Sequence, residues 1–202
     1  MISIYNIKPK FQKLLQPVLH VLHKAGFTAN QITTLSLVLS LIIGILFWFA
    51  ADYPVFFLAL PVGLFLRMAL NALDGMMART YHQQSKQGEV LNEIGDVVSD
   101  LFIYFPLIRF EGAVLYWVVA FICLSVVNEF AGILGKAVSG TRRYEGPMGK
   151  SDRAFVMGVY GLLCFFNVGF RPNSLYIFII LILLLLLSTI TRIKKMIYET
   201  QS

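Results

Sequence analysis

The chain reads NALDGMMAR from Asn71 to Arg79 and GEVLNEIGDVVSD from Gly88 to Asp100. Around these two polar runs the sequence is largely apolar, since 57% of its 202 residues are hydrophobic and only 14% are charged. The two runs nevertheless hold five of the eleven acidic residues, which are Asp74, Glu89, Glu93, Asp96 and Asp100. Acidic side chains are costly inside a membrane and usually mark a functional site there. We therefore expect the functional site in this segment.

Six apolar segments accompany these polar runs, each near the ~20 residues that a helix needs to cross a bilayer. They predict an all-α polytopic membrane protein with six transmembrane helices in a single domain, residues 1–202. The predicted spans are 31–50, 55–80, 88–108, 113–138, 153–170 and 173–190.

A shorter helix is predicted before the first span, at residues 11–24. Its apolar residues, among them Leu14, Val18 and Leu22, recur at helical spacing with polar residues between them. This pattern is typical of an amphipathic helix that lies in the membrane interface. Gly26 ends this helix, and Thr28 suits the N-cap of the next one.

The basic residues predict the orientation of the chain. With the N-terminus in the cytoplasm, 14 of the 17 lysines and arginines lie on the cytoplasmic side, while Arg109 and Arg171 lie opposite and Arg67 lies within a span. This positive-inside pattern predicts an integral membrane protein with both termini and the site in the cytoplasm. The membrane is expected to be a bacterial-type inner membrane. Because the basic residues flank the spans, the net charge of +6 favours anionic lipid headgroups over nucleic acid as partners.

Helical geometry gathers the polar residues onto two faces. At about 100° per residue, five side chains of the third span fall within an arc of roughly 100°: Glu89, Asn92, Glu93, Asp96 and Asp100. In the second span, Arg67, Asn71, Asp74 and Ala78 group in the same way. A short loop joins the two spans and makes them predicted neighbours. Facing stripes of oxygen atoms suit Mg²⁺ or Mn²⁺.

At these residues the chain resembles the CDP-alcohol phosphotransferase family of integral membrane enzymes. The family pattern is Asp-x2-Asp-Gly-x2-Ala-Arg-x8-Gly-x3-Asp-x3-Asp. Six of its eight fixed positions are matched without a gap, by Asp74, Gly75, Ala78, Arg79, Gly88 and Asp96. The Gly26-x-Thr28-x-Asn30-x-x-Thr33 start of the first span is also similar to that of family members, which usually have six membrane helices and an amphipathic N-terminal helix.

The resemblance implies a phosphatidyltransferase of phospholipid synthesis. Such enzymes move a phosphatidyl group, which is a substituted phosphate, from a CDP-linked donor, usually CDP-diacylglycerol, to an alcohol and release CMP. The implied cofactor is Mg²⁺ or Mn²⁺, held at the four acidic positions of the pattern, here Asn71, Asp74, Asn92 and Asp96. Asp96 is also the implied general base toward the acceptor hydroxyl.

The resemblance also implies which residues bind the substrates. The donor would contact Asn71, Asp74, Gly75, Ala78, Arg79 and Gly88. Lys150 and Arg153 are predicted on the same side of the membrane and are candidates for holding an anionic acceptor or headgroup. Family members often form dimers, so a homodimer is a further expectation.

The chain departs from the family pattern at Asn71 and Asn92, which replace two aspartates. An amide oxygen can ligate a metal but brings no charge, so the sequence predicts one or two ions without fixing the number. One hypothesis is that Glu89, Glu93 and Asp100 supply the missing charge. The departure also supports an alternative function, a homologue that binds nucleotide-lipid without turnover as a regulator or assembly partner.

Two ionic pairings are predicted from local spacing. Arg67 lies within two turns of Asp74 and either neutralises it or serves the site. Glu129 in the fourth span lines the same cavity, pairs with Lys136 or packs between helices.

Overall fold

The computed structural model describes residues 8–167 and 174–201, which form eight α-helices and no β-strand. The all-α class predicted from the sequence is therefore confirmed. The helices are α1 Lys8–Lys24, α2 Ala29–Trp48, α3 Ala59–Thr80, α4 Lys86–Tyr104, α5 Leu107–Phe110, α6 Leu115–Ser139, α7 Lys150–Phe165 and α8 Ser174–Gln201.

Four segments in the described part of the chain are long and apolar enough to cross a membrane. They are Ala29–Ala51, Pro54–Thr80, Gly112–Ser139 and Ser174–Glu199. The other two predicted spans correspond to α4, which carries four acids in 19 residues, and α7, which has only 16 residues. Six crossings therefore stay a prediction. The predicted break between the fifth and sixth spans, at residues 171 and 172, lies outside the described residues.

Helix starts follow the capping chemistry of the sequence. Thr28 Oγ1 accepts a hydrogen bond from Gln31 N at 3.3 Å, and Gln31 Oε1 accepts one from Thr28 N at 2.9 Å, which completes a capping box at α2. Ser85 Oγ caps α4 by accepting from Gly88 N at 3.0 Å. The predicted cap at Thr28 is confirmed.

Helix α2 lies at the centre of the site-bearing part of the fold. It packs against both α3 and α4, whereas α3 and α4 make little direct contact with each other. Close packing with α4 depends on Gly44, because a Cβ atom there would lie 2.3 Å from the Phe102 carbonyl oxygen. The sequence predicted α3 and α4 as direct neighbours. Their backbones make little contact because α2 packs against both, yet side chains of their polar faces meet, as the 3.0 Å ion pair between Arg67 and Asp100 shows. Helix α7 packs on α3, and α6 packs on α8 and α4.

Two apolar clusters surround this arrangement. The larger one runs through α2, α3, α4, α6, α7 and α8, and it ends in an aromatic group: Phe47, Phe57, Phe110 and Tyr160.

The smaller cluster attaches α1 to the bundle. Leu19 of α1 is buried beside Ile32, Leu73 and Met77. The helix thus covers the predicted segment 11–24, while its location in the membrane interface stays a prediction.

Candidate active site

The candidate site is built where α3, α4 and α7 meet beside α2. Helix α3 supplies Asn71 and Asp74, α4 supplies Asn92 and Asp96, and α7 contributes Lys150 at its first turn. Asp74 and Asp96 are only 6% and 7% exposed. Asp96 and Lys150 both lie close enough to Asp74 to interact electrostatically with its carboxylate. The structure therefore brings together the two motif aspartates that the sequence singled out.

Helix α2 orients the two polar residues of α3 through hydroxyl groups. Thr33 Oγ1 donates to Asp74 Oδ2 at 3.0 Å, and Ser36 Oγ donates to Asn71 Oδ1 at 2.6 Å. The remaining polar atom of Asn71, Nδ2, is buried and has no hydrogen-bond partner among the described residues. Sequence reasoning assigned no role to Ser36; its position three residues after Thr33, on the same helical face, is the signal that was available.

Asp96 faces two basic side chains. Lys150 Nζ forms an ion pair and a hydrogen bond with its Oδ1 atom, and Arg67 Nη2 lies 3.9 Å from the same oxygen. The second oxygen of Asp96 has no basic partner in the described part of the chain. These basic groups offset the cost of burying the Asp96 carboxylate.

Asp96 is one member of an ion-pair network in which acids and bases alternate. Arg67 contacts Asp100 at 3.0 Å, and Arg153 contacts both Asp100 and Glu129 at 2.7 Å. The network continues through Arg142 to Glu93. In order, its eight members are Lys150, Asp96, Arg67, Asp100, Arg153, Glu129, Arg142 and Glu93. Four carboxylates and four cations cancel, which is how the fold accommodates so many charges.

Arg142 closes the network from the segment between α6 and α7. It contacts Glu93 at 2.9 Å and Glu129 at 3.0 Å, and its guanidinium lies over the Tyr144 ring. Burial disfavours the charged guanidinium, but Tyr144, Glu93 and Glu129 outweigh this and raise the pKa of Arg142 above its ordinary value. Arg142 is thus firmly cationic. The sequence missed it because it lies in a loop, where helical spacing gives no signal.

Both local pairings expected from the sequence are replaced by contacts between helices. Arg67 pairs with Asp100 and Asp96, and not with Asp74. Glu129 pairs with Arg153 and Arg142. Lys136, its expected partner, instead forms an ion pair with Glu89.

The three acids proposed to supply missing charge all have basic partners. Glu89 pairs with Lys136 at the surface, Glu93 pairs with Arg142, and Asp100 pairs with Arg67 and Arg153. Their proposed contribution to metal binding stays a prediction.

The other motif positions lie around this centre. A Cβ atom at Gly75 would lie 3.2 Å from Arg79 Nη1, so the Arg79 guanidinium folds back over the small residue. Arg79 is exposed and has no ion-pair partner in the described segments. At Gly88 a Cβ atom would lie 2.6 Å from Asn30 Oδ1, which places α2 close to the start of α4. Ala78 and Asn92 are partly buried.

The donor set of the site can be compared with what a divalent ion requires. Asp74, Asp96, Asn71 and Asn92 are hard oxygen donors of the kind that Mg²⁺ and Mn²⁺ prefer. Within the described residues, however, no group of three or more His, Cys, Asp and Glu side chains is placed to hold a metal. Two carboxylates with amide support fit one divalent ion.

A family model described as CDP-alcohol phosphatidyltransferase matches residues 27–197. The inner membrane protein YnbA of Escherichia coli (strain K12) is 47% identical over 160 residues, which cover 79% of each chain. The archaetidylinositol phosphate synthase of Pyrococcus horikoshii is 32% identical over 126 residues, which cover 59% of this chain and 60% of that one.

The fold is also similar to solved structures of phosphatidylinositol phosphate synthase (PgsA1) from Mycobacterium tuberculosis. The structure in complex with manganese and citrate has a TM-score of 0.71 at 21% identity and covers 89% of this chain and 87% of that chain. The structure with CDP-DAG bound has a TM-score of 0.69 at 21% identity and covers 90% and 91%. At this identity the likeness shows the fold alone.

Proposed function

This chain belongs to the CDP-alcohol phosphatidyltransferase family, and from that premise we propose that it transfers a phosphatidyl group from a CDP-linked lipid to an alcohol with release of CMP. The proposed donor is CDP-diacylglycerol. A solved structure of the same fold, PgsA1, has CDP-DAG bound, which supports a donor of this class. The acceptor is a small alcohol.

One observation carries the proposal. Asp74 and Asp96, which come from different helices, are buried near each other and held by specific partners, Thr33 for Asp74 and Lys150 for Asp96. Burying two carboxylates side by side costs stability, and a fold retains such a pair when it has a use for it.

The proposed chemistry begins at Asp96. Its carboxylate accepts the proton of the acceptor hydroxyl, and the freed oxygen attacks the phosphorus atom that carries the diacylglycerol. The bond from that phosphorus atom to the oxygen shared with CMP breaks, and CMP leaves with the electron pair. When bound at Asp74, Asp96 and their amide neighbours, Mg²⁺ or Mn²⁺ supplies positive charge that stabilises the phosphate oxygens.

Donor binding is assigned to the residues around Asp74. Arg79 offers several N–H donors without a competing carboxylate, which suits a phosphate group. Gly75 and Ala78 are small and would let the nucleotide approach the backbone of α3 closely. Asn71 and Gly88 complete the proposed contacts with the nucleotide part of the donor.

Lys150 and Arg153 differ in how well they suit an anionic acceptor or headgroup. The Lys150 side chain is 27% exposed, whereas Arg153 is fully buried between Asp100 and Glu129. An acceptor can reach Lys150 without breaking the fold. Arg153 would have to give up two ion pairs, so its proposed contribution is to hold the helices that carry the site.

The membrane arrangement is proposed on the same basis. Six crossings would place both termini and the candidate site in the cytoplasm of a bacterial cell. The basic residues near α1, the start of α4, the loop after α6 and the end of α8 support this orientation through the positive-inside rule. The relative YnbA is named an inner membrane protein. A homodimer stays a prediction.

The test is an assay of CMP release. Purified protein in lipid nanodiscs is given CDP-diacylglycerol, Mg²⁺ or Mn²⁺, and a panel of acceptors that includes glycerol 3-phosphate, serine and inositol phosphate. Release with one acceptor class is expected. Absence of release with every acceptor, together with retained binding of CDP-diacylglycerol, would refute the enzyme and support the second candidate.

That second candidate is a homologue that binds nucleotide-lipid without turnover. Two observations favour it: Asn71 and Asn92 remove two ligand charges, and Lys150 already occupies one oxygen of Asp96. Both observations concern metal binding. The proposed donor-binding residues Gly75 and Arg79 still match the family pattern. Binding without CMP release is therefore its distinguishing signature.

A further inference from the structure

Lys150 holds the position next to Asp96 that a metal ion would otherwise share. It belongs to the first turn of α7, where Asp152 Oδ2 accepts a hydrogen bond from Gly149 N at 3.1 Å and fixes the start of the helix. The Nζ atom contacts Asp96 Oδ1 and also acts electrostatically on Asp74. One ammonium group therefore serves both buried carboxylates.

The Asn71 side chain is oriented by Ser36 of α2. Its carbonyl oxygen, Oδ1, accepts the hydrogen bond from Ser36 at 2.6 Å, while its amide nitrogen, Nδ2, is buried without a partner among the described residues. A buried N–H group without a partner is costly and suits a hydrogen-bond acceptor such as a phosphate oxygen. Unlike the aspartate of the family pattern, Asn71 thus brings no negative charge and adds an N–H donor that suits an anion.

The charges of the site point the same way. Asp74 and Asp96 carry two negative charges, and Lys150 cancels one of them. With one divalent ion, the net charge of Asp74, Asp96, Lys150 and the ion would be +1. With two ions it would be +3, in a buried site. Glu93 and Asp100 do not offset that excess, because arginines already balance them. Uncompensated like charges in a buried site repel strongly.

We propose that the Lys150 ammonium is a fixed cation at Asp96 that takes the place of one metal ion, so that this site binds a single divalent ion. The ion would bind Asp74 and the Oδ2 atom of Asp96, because the basic partners of Asp96 contact its Oδ1 atom. The inference deepens the proposed function, on which it rests for the identity of the metal site.

The experiment is a titration with Mn²⁺ alone, followed by the electron paramagnetic resonance signal of free Mn²⁺. The protein is metal-stripped and held in lipid nanodiscs, and no turnover is required. Wild-type protein is expected to bind one Mn²⁺ per chain. Two ions per chain, or none at millimolar Mn²⁺, would overturn the proposal.

Three variants test the part played by Lys150. Lys150→Met is expected to tighten Mn²⁺ binding by about tenfold or more, because it removes a positive charge beside the ion. Lys150→Arg keeps that charge and is expected to match the wild type. Lys195→Met is the matched control, since Lys195 forms an ion pair 3.3 Å from Glu145, away from the site; its Mn²⁺ affinity is expected to stay unchanged.

Two results would contradict the role of the ammonium charge. One is an Mn²⁺ affinity of Lys150→Met that is unchanged or weaker than that of the wild type. The other is a gain in Mn²⁺ affinity in Lys150→Arg as large as that in Lys150→Met. The outcome is separable from that of the proposed function. A chain that binds one Mn²⁺ but releases no CMP would retain this inference and lose the enzyme, while CMP release with two bound ions would do the reverse.

Discussion

The two ends of the helical bundle are closed by opposite kinds of chemistry. At one end, Phe47 stacks on Phe110 with ring centroids 5.0 Å apart and lies beside Phe57 and Tyr160. At the other end, the ion-pair network joins α3, α4, α6 and α7. Aromatic packing is adaptable in direction, whereas each ion pair fixes the position of two charged atoms. Packing at the aromatic end therefore leaves the orientation of side chains adaptable. At the charged end, where the candidate site lies, ion pairs fix the positions of the side chains.

The largest expected effect comes from neutralising the site carboxylates. Asp74→Asn and Asp96→Asn should each lower the rate of CMP release about 10²- to 10⁴-fold, because metal binding and proton transfer both need a negative charge. Rates are measured with saturating CDP-diacylglycerol.

Asp52→Asn is the matched control for these two variants. Asp52 pairs with Arg109 at 3.0 Å near the aromatic end, and its loss should change the rate less than about twofold. A fully active Asp96→Asn protein would refute the role of Asp96 as base.

Breaking the ion-pair network should cost stability next. Arg153→Met would leave Asp100 and Glu129 buried with fewer cationic partners, so we expect a loss of about 3–5 kcal/mol in the free energy of unfolding. Arg109→Met, which breaks an exposed pair, should cost under about 1 kcal/mol. Thermal unfolding of both variants in one detergent compares the two losses. Equal losses would show that the buried ion pairs stabilise the fold no more than the exposed pair does.

At the aromatic end, Phe47→Leu should cost about 1–2 kcal/mol, because a smaller side chain leaves part of a packed space empty. The rate of CMP release per folded molecule should stay within about twofold of the wild type. A large loss of activity without a loss of stability would contradict this, because it would show that the aromatic end affects the candidate site at the charged end.

The smallest effect is expected at the edge of the charged end. Glu89→Gln breaks a half-exposed pair with Lys136, so the free energy of unfolding should fall by less than about 1 kcal/mol. Mn²⁺ affinity should remain unchanged. Clearly weaker Mn²⁺ binding in this variant would instead support charge compensation by Glu89.

Sequence reasoning worked best for properties of single helices. Apolar length identified the segments of α2, α3, α6 and α8, and Thr28 marked the start of α2, because these features depend on residues close in the chain. The motif spacing likewise brought attention to Asp74 and Asp96. Those predictions needed no knowledge of how helices pack.

Partners between helices were beyond that reasoning. Arg67 lies within two turns of Asp74 on one face, yet it pairs with Asp100 of α4. Helical periodicity shows which residues share a face but not which helix that face meets. Arg142 gave no signal at all, since it lies in a loop and finds Glu93 and Glu129 only after α4 and α6 have packed.

The placement of charge also bears on how this chain enters a bilayer. The four strongly apolar segments suit insertion one at a time. Helices α4 and α7, which carry Asp96, Asp100, Lys150 and Arg153, would each bring unpaired charges into the lipid if they entered alone. Their charges cancel only against each other and against α3 and α6. We therefore expect insertion and folding to be coupled, with the two helices that complete the candidate site entering the bilayer last.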